Sequence, residues 1–306
     1  KATVNGGAID GGFYQGNSKL TLQGALKVNG MILGSGTLTT TGLKSGAEIV
    51  VMGNKTFTGT ASYFKAGTRT ALTASGTNLT ATLATNGAMG YCSQCQKQVV
   101  WTAYGSGDHC YLTENVTNHK EVTVNSHQAL DLAGFTLDAT GRAYTVAATG
   151  DLLITDTAGT GILTGSDLLN NAGKLTLMGG KYIYKGANTG IITNSGDLTV
   201  NNALLDATAF KNAEYNGGAI SMTGTANAKL TMMGGAVLGG NVQSAHQHSQ
   251  KLPSAHRTVG GETGIAVKAF AHENAGVLHP LRRKPTGSVK LLLCGTTGQC
   301  TSGTGC

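Results

Sequence analysis

Short runs of alternating hydrophobic and polar residues recur along the middle of the chain. Three similar runs, GDLLITD, GKLTLMG and GDLTVNN, begin at Gly150, Gly173 and Gly196, and a fourth, AKLTMMGG, begins at Ala228. Apolar positions flank a central position that is mostly threonine, which predicts a short strand with one buried face. Because the first three copies repeat every 23 residues, they predict parallel strands stacked as a solenoid.

The 23-residue interval is too short for a strand plus a crossover helix, which needs about 30 residues. It fits one rung of a parallel β-helix with two or three short strands. The residues expected in a second strand of each rung are Leu168, Leu169, Ile191, Ile192, Ile220 and Met222. Asn171 and Asn194 each stand three residues before a charged position, and we expect them to stack at a turn.

A charged column is expected on the outside of the stack. Stacked strands lie about 4.8 Å apart, so Asp151, Lys174 and Asp197 become neighbours of alternating sign. A charged ligand groove is one interpretation. We favour an exposed ladder that sets the register of the strands, in which each pair contributes about 0.2 to 1 kcal/mol.

Composition agrees with an all-β solenoid. Gly 47 in 306 residues without a collagen period, together with many β-branched residues, is typical of turn-dense β structure. Charged residues make up only 12% of the chain, so acid–base chemistry has few candidates. No apolar run approaches the roughly 20 residues of a membrane helix. The chain begins at Lys1 without a signal peptide, so we expect a fragment or a mature chain.

Four regions are predicted. Residues 1–90 are interpreted as the end of a β-helix module, because NGGAI at Asn5 recurs at Asn216 and KLTLQG at Lys19 recurs as KLTMMG at Lys229. Residues 91–128 are interpreted as a cysteine-containing cap or insertion, and residues 129–242 as rungs. Residues 243–306 form a basic tail with five of the eight histidines and all three prolines. One hypothesis is that this tail is not native sequence but arises from a frame change or read-through.

A family resemblance rests on motifs in the cap and the first rungs. They are the C-x-x-C pair from Cys92, V-x-W-T from Val99, YLTENVT from Tyr111, LDLAGFTL from Leu130 and the strand repeat GDLLITD. Residues 1 to about 242 resemble the large, repetitive β-helix surface proteins of gut anaerobic bacteria, in the pectin-lyase-like superfamily. The chain departs from the expected LDLNGHTI at Ala133 and Phe135. The resemblance implies a right-handed parallel β-helix in an extracellular setting and, for most such proteins, no activity.

A cysteine and histidine cluster is the first chemical candidate. Cys92, Cys95, His109 and Cys110 offer thiolates and an imidazole of the kind that zinc binds, with His127 or His119 needed to complete the set. A disulfide between Cys110 and either earlier cysteine, or free thiols, remain alternatives. Any metal here is expected to be structural.

Carboxylates and tyrosines provide the other candidates. Adjacent rungs could pair Asp131, Asp138, Asp151 and Asp156 as catalytic residues of a glycoside hydrolase, or as calcium ligands of a polysaccharide lyase. Turn and ladder roles are the favoured interpretation, because none of the paired-Asp and Lys/Arg motifs of known β-helix pectinases occurs. The best candidates for stacking on a sugar ring are Tyr182, Tyr184 and Tyr215.

The resulting prediction is a secreted or cell-surface β-helix module, part of a longer repetitive chain, that serves as a stalk, an adhesion surface or a glycan-contacting surface. A regular solenoid face suits extended polymers such as a polysaccharide or a surface glycan. The alternative is a polysaccharide-degrading enzyme on the same scaffold, because fold does not decide function. The basic run at Arg282 lacks interleaved aromatic residues, so we expect no nucleic-acid binding.

Overall fold

The computed structural model describes residues 1–9, 13–186, 190–209, 219–223 and 228–239, and the backbone of strands at 242–244, 292–294 and 300–302. The described residues are all β apart from one short 3₁₀ helix at Ala61–Tyr63. None of their helices is long and apolar enough to span a membrane. The hypothesis about the origin of the tail at 243–306 lies outside the described residues, except for those strand backbones.

The strands before residue 87 form the N-terminal region. They are β1 (Ala2–Asn5), β2 (Ala8–Ile9), β3 (Phe13–Tyr14), β4 (Leu20–Gly24), β5 (Lys27–Ile32), β6 (Leu38–Leu43), β7 (Glu48–Met52), β8 (Lys55–Thr58), β9 (Phe64–Ala66), β10 (Thr70–Ser75) and β11 (Asn78–Leu83).

The strands that follow form the central region. They are β12 (Ala88–Cys92), β13 (Lys97–Ala103), β14 (His109–Tyr111), β15 (Val116–His119), β16 (Val122–Val124), β17 (His127–Asp131), β18 (Thr136–Ala139), β19 (Tyr144–Val146), β20 (Asp151–Thr155), β21 (Ile162–Gly165), β22 (Leu169–Asn171), β23 (Lys174–Met178), β24 (Lys181–Tyr184), β25 (Ile192–Asn194), β26 (Asp197–Asn201), β27 (Leu204–Asp206), β28 (Ile220–Met222), β29 (Lys229–Met233), β30 (Ala236–Leu238) and β31 (Val242–Ser244). Two further strands, β32 (Leu292–Cys294) and β33 (Cys300–Ser302), pair with each other.

Three sheets organise the central region, and the chain passes through them in turn. The first has the order β12-β13-β14-β17-β20-β23-β26-β29, the second β15-β18-β21-β24-β27-β30 and the third β16-β19-β22-β25-β28-β31. All pairs in them are parallel except the β12–β13 hairpin. We call three consecutive strands, one in each sheet, a rung. This arrangement of stacked parallel strands is compatible with the predicted β-helix.

The register of the first sheet confirms the predicted columns. Asp151 lies opposite Lys174, and Lys174 opposite Asp197, so the 23-residue period is the length of one rung. The column continues to Lys229 after a longer rung. Inside the stack, Leu152, Leu175 and Leu198 occupy one column and are at most 1% exposed.

The predicted asparagine stack is also confirmed. Asn171 and Asn194 end β22 and β25, and both are fully buried. Asn171 Nδ2 donates to Asn194 Oδ1 over 2.6 Å. Asn194 Nδ2 in turn donates to the carbonyl oxygens of Gly196 and Lys229, which connects three successive rungs.

The glycine that opens each repeat lies where one rung touches the next. A Cβ built on Gly173 would stand 2.2 Å from the carbonyl oxygen of Ala147, and one on Gly196 would stand 2.1 Å from that of Gly173. A side chain at these positions would push the rungs apart. The repeated glycine is therefore required by close stacking rather than by an unusual φ.

The N-terminal region packs its own core in two parallel sheets, β1-β4-β6 and β2-β5-β7-β9, with an antiparallel sheet β8-β11-β10. It meets the central region through Arg69, whose backbone N–H donates to Tyr91 O in β12. The predicted boundary at residue 128 does not coincide with a change of topology, because β14, β15 and β16 already form a rung, which pairs with the next rung, β17, β18 and β19.

Candidate metal centre

The β12–β13 hairpin carries the two cysteines of the C-x-x-C pair. Cys92 ends β12, and a four-residue turn that includes Cys95 leads to β13. Gln96 closes the turn in the left-handed region, with φ of 52°. The backbone N–H of Cys95 donates to Cys92 Sγ over 3.4 Å. The turn thus points both thiols to one side and already provides a donor for one sulfur.

Two histidines face these thiols from neighbouring strands. His109 begins β14 and His127 begins β17, and the two strands pair in parallel with His109 opposite Ala129. Residues 127 and 129 lie on the same side of a strand because side chains alternate. The two imidazole rings therefore lie side by side, with centroids 5.1 Å apart.

The four side chains converge on one point. Cys92 Sγ is 3.6 Å from His127 Nε2, and Cys95 Sγ is 3.3 Å from His109 Nε2. All four ligand atoms lie within 4.8 Å of one another. In a tetrahedral zinc site, Zn–S bonds of about 2.3 Å and Zn–N bonds of about 2.0 Å place sulfur and nitrogen about 3.5 Å apart. The geometry fits a metal that takes two sulfur and two nitrogen ligands.

Cys110 is not a member of this group, which corrects the predicted ligand set. Because it follows His109 directly in a strand, its side chain points to the opposite face, where it packs against the hydrophobic core. His127 takes the fourth place. His119 is engaged elsewhere, with Nδ1 bonded to Tyr104 Oη at 2.5 Å and Nε2 to Ala143 O at 3.1 Å.

Cys92, Cys95 and Cys110 are free thiols, so no disulfide joins Cys110 to the C-x-x-C pair. Without a metal, burial raises the pKa of the Cys92 thiol to about 12, and burial lowers the pKa of His109 below its ordinary value. Burial thus disfavours charge on both groups. A dication offsets this cost for the sulfurs, because metal binding deprotonates coordinating thiols.

The Asp151 carboxylate contacts His127 through the ring nitrogen that faces away from the thiols. His127 Nδ1 lies 3.2 Å from Asp151 Oδ2, and Gln94 Nε2, in the C-x-x-C turn, donates to Asp151 Oδ1. Trp101 is fully buried beside the group, and its ring lies at 75° to that of His109 with centroids 5.6 Å apart. The sequence pattern predicted Asp151 as a ladder or catalytic carboxylate and did not indicate its contact with His127. The signal was its position one rung after His127 in the charged column.

No protein-family model, no curated protein and no solved structure matches this chain.

Two of the four candidate catalytic aspartates are buried and fully used by structural contacts. Asp131 accepts bonds from the N–H groups of Ala133 and Thr157, from the Thr157 hydroxyl and from Arg69. Asp156 accepts from the N–H groups of Gly134, Ala158 and Gly161. These carboxylates order the corners between the first and second sheets.

The other two aspartates lie in different places. Asp138, in β18, pairs with Lys185 at 3.1 Å on the surface, and Asp151 contacts His127 of the candidate metal centre. An open groove beside the C-x-x-C turn is lined by Glu48, Lys65 and Tyr91, among others, and by none of the four. The structure does not bring the four carboxylates together in one groove.

The prediction that Tyr182 and Tyr184 stack on a sugar is wrong. Both side chains are fully buried in the core of the stack. They occupy alternate positions of β24 on the face opposite Lys181, and that face points inward. Tyr215 lies outside the described residues.

Proposed function

We propose that this chain is a structural segment of a right-handed parallel β-helix that serves as a stalk in a secreted or cell-surface protein. In this proposal a zinc ion bound by Cys92, Cys95, His109 and His127 fixes the first hairpin to the stack of rungs. The observation that carries the proposal is the convergence of these four ligands at the junction between hairpin and stack.

The donor set argues for a structural rather than a catalytic zinc. Structural zinc sites are closed by four protein ligands, whereas catalytic sites leave one position for water. Four ligand atoms within 4.8 Å of one another complete a tetrahedron without water. Two thiolates and two neutral imidazoles also balance the charge of Zn²⁺.

The topology supports the β-helix. Each rung leaves the first sheet, crosses the second and third, and returns to a parallel strand of the first. About 98% of connections that return to a parallel strand are right-handed, so a right-handed winding is expected here too.

The contacts of the carboxylates favour a stalk over an enzyme. A glycosidase needs an acid and a nucleophile or base that reach the substrate, but Asp131 and Asp156 are 0% and 1% exposed. The extracellular location and any glycan contact rest on the family resemblance alone.

The zinc centre is tested by metal analysis of protein purified with zinc and a thiol reductant. We expect one zinc per chain in the wild type and in Cys110→Ser, and loss of zinc in Cys95→Ser and His127→Ala. Cys110→Ser is a matched control, because it removes a half-buried thiol next to a ligand without touching the group. A chelator should lower the melting temperature of the wild type but not that of His127→Ala.

A wild-type protein without stoichiometric zinc would overturn the metal centre. The stalk is tested separately with a panel of acidic and neutral polysaccharides, from which we expect no release of reducing ends. If the wild type releases reducing ends and Asp131→Asn or Asp156→Asn abolishes that release, the stalk proposal is contradicted and the polysaccharide-degrading enzyme is favoured.

A further inference from the structure

We infer that Asp151 is a positioning residue for the metal centre, which orients His127 for binding and raises the affinity for the metal. This inference rests on the proposed zinc site and identifies a residue outside the four ligands that tunes it. It gives one member of the charged column a role that the other members lack.

The orientation of His127 carries the first step. Its Nδ1 lies 3.2 Å from Asp151 Oδ2, while its Nε2 lies 3.6 Å from Cys92 Sγ. The Nδ1–H group donates a hydrogen bond to the carboxylate. The unprotonated Nε2 then directs its lone pair at the thiols. Metal-bound histidines commonly donate their second nitrogen to a carboxylate in this way, and the contact fixes the tautomer and makes the ligand more basic.

Asp151 is itself held on both oxygens. Gln94 donates to Oδ1 from the C-x-x-C turn, and Lys174 Nζ stands 3.9 Å from Oδ2 on the next rung. The carboxylate therefore joins the turn that carries the cysteines to the strand that carries His127. Because its neighbours restrict it, little freedom is lost when a metal binds.

The column supplies a matched control. His127, Asp151, Lys174, Asp197 and Lys229 stand opposite one another on successive strands. Asp197 pairs with Lys229 at 3.6 Å on the same edge of the stack, but Lys174, not a histidine, precedes it in the column. If Asp151 only set the register, replacing either aspartate would have the same effect.

The test is competition between the protein and a chromophoric chelator for Co²⁺, at fixed pH with a thiol reductant. We expect Asp151→Ala to bind Co²⁺ about 10-fold to 100-fold more weakly than the wild type. Asp197→Ala should bind like the wild type. Asp151→Asn, which keeps an acceptor oxygen for Nδ1–H, should recover part of the loss. The visible bands of tetrahedral Co²⁺ should shift in Asp151→Ala and stay unchanged in Asp197→Ala.

The outcomes separate the inference from the proposed function. Equal Co²⁺ affinities for Asp151→Ala, Asp197→Ala and the wild type would overturn the role of Asp151 and leave the metal centre standing. A wild type that binds no Co²⁺ or zinc would overturn both. Should Asp151→Ala fail to fold, Asp151→Asn decides. We expect it to bind Co²⁺ more weakly than the wild type, because a neutral amide makes His127 a less basic ligand, and wild-type affinity and spectrum in that variant would overturn the inference.

Discussion

Arg69 Nη1 lies 2.7 Å from Asp131 Oδ2 although the two residues are 62 positions apart in the sequence. Both side chains are buried, and the Arg69 guanidinium also lies 4.1 Å from the centre of the Tyr111 ring. Arg69 Nε donates to Ala84 O as well. This pair fixes the N-terminal region against β17 in the stack.

Arg69→Met is expected to destabilise the protein by roughly 3 to 5 kcal/mol, because it leaves a buried carboxylate without its cation. Chemical denaturation measures the loss. Lys65→Met is the control, because Lys65 pairs with Glu48 on the surface and its removal should leave the unfolding midpoint almost unchanged. Equal midpoints for the two variants would show that the buried pair contributes no more than a surface pair.

Tyr182→Phe is expected to be neutral or stabilising. The Tyr182 hydroxyl is buried without a hydrogen-bond partner among the described residues, and burying an unpaired polar group costs free energy. Tyr182→Ala should cost roughly 3 to 5 kcal/mol, as other large-to-small core substitutions do. Thermal unfolding of the two variants tests this. A marked loss in Tyr182→Phe would mean that the hydroxyl has a partner.

The asparagine stack should accept one more member. Asn171 Oδ1 is buried without a donor among the described residues, and Val146 stands opposite Asn171 on the preceding rung. An amide at position 146 could donate to that oxygen, so Val146→Asn should be tolerated better than Val124→Asn. Val124 lies one rung before Val146 in the same column, so it is not next to Asn171. Equal losses of stability would show that the new amide does not join the stack.

The metal-free protein is expected to lose stability as the pH rises above 9. Burial raises the pKa of the Cys92 and Cys110 thiols from 9.0 to about 12, so the folded state keeps protons that the unfolded state releases. The free energy of unfolding should then fall by up to about 1.4 kcal/mol per pH unit for each thiol. Denaturation between pH 8 and pH 10, with a reductant and a chelator, measures the slope.

Cys110→Ser isolates one of the two contributions. It should reduce this slope by about half, and saturating zinc should reduce it as well, because the bound Cys92 is already a thiolate. A slope that is the same in the wild type and in Cys110→Ser would contradict a raised pKa for Cys110.

The sequence by itself determined the stacking. Apolar residues at every second position and a fixed 23-residue period place Leu152, Leu175 and Leu198 in one buried column, and any shift by one residue would expose them all. The same period aligns Asn171 with Asn194 and Asp151 with Lys174. These relationships follow from the 23-residue period, which can be read from the amino-acid sequence.

Only the tertiary structure decided which faces and which distant segments meet. His109 and Cys110 are adjacent in the sequence, and the direction in which β14 packs places the histidine in the cluster with Cys92, Cys95 and His127 and the cysteine against the core. The contacts of Asp131 with Arg69 and of Asp151 with Gln94 join segments that share no period. Their partners are set by how the hairpin and the N-terminal region pack on the stack, which local patterns do not encode.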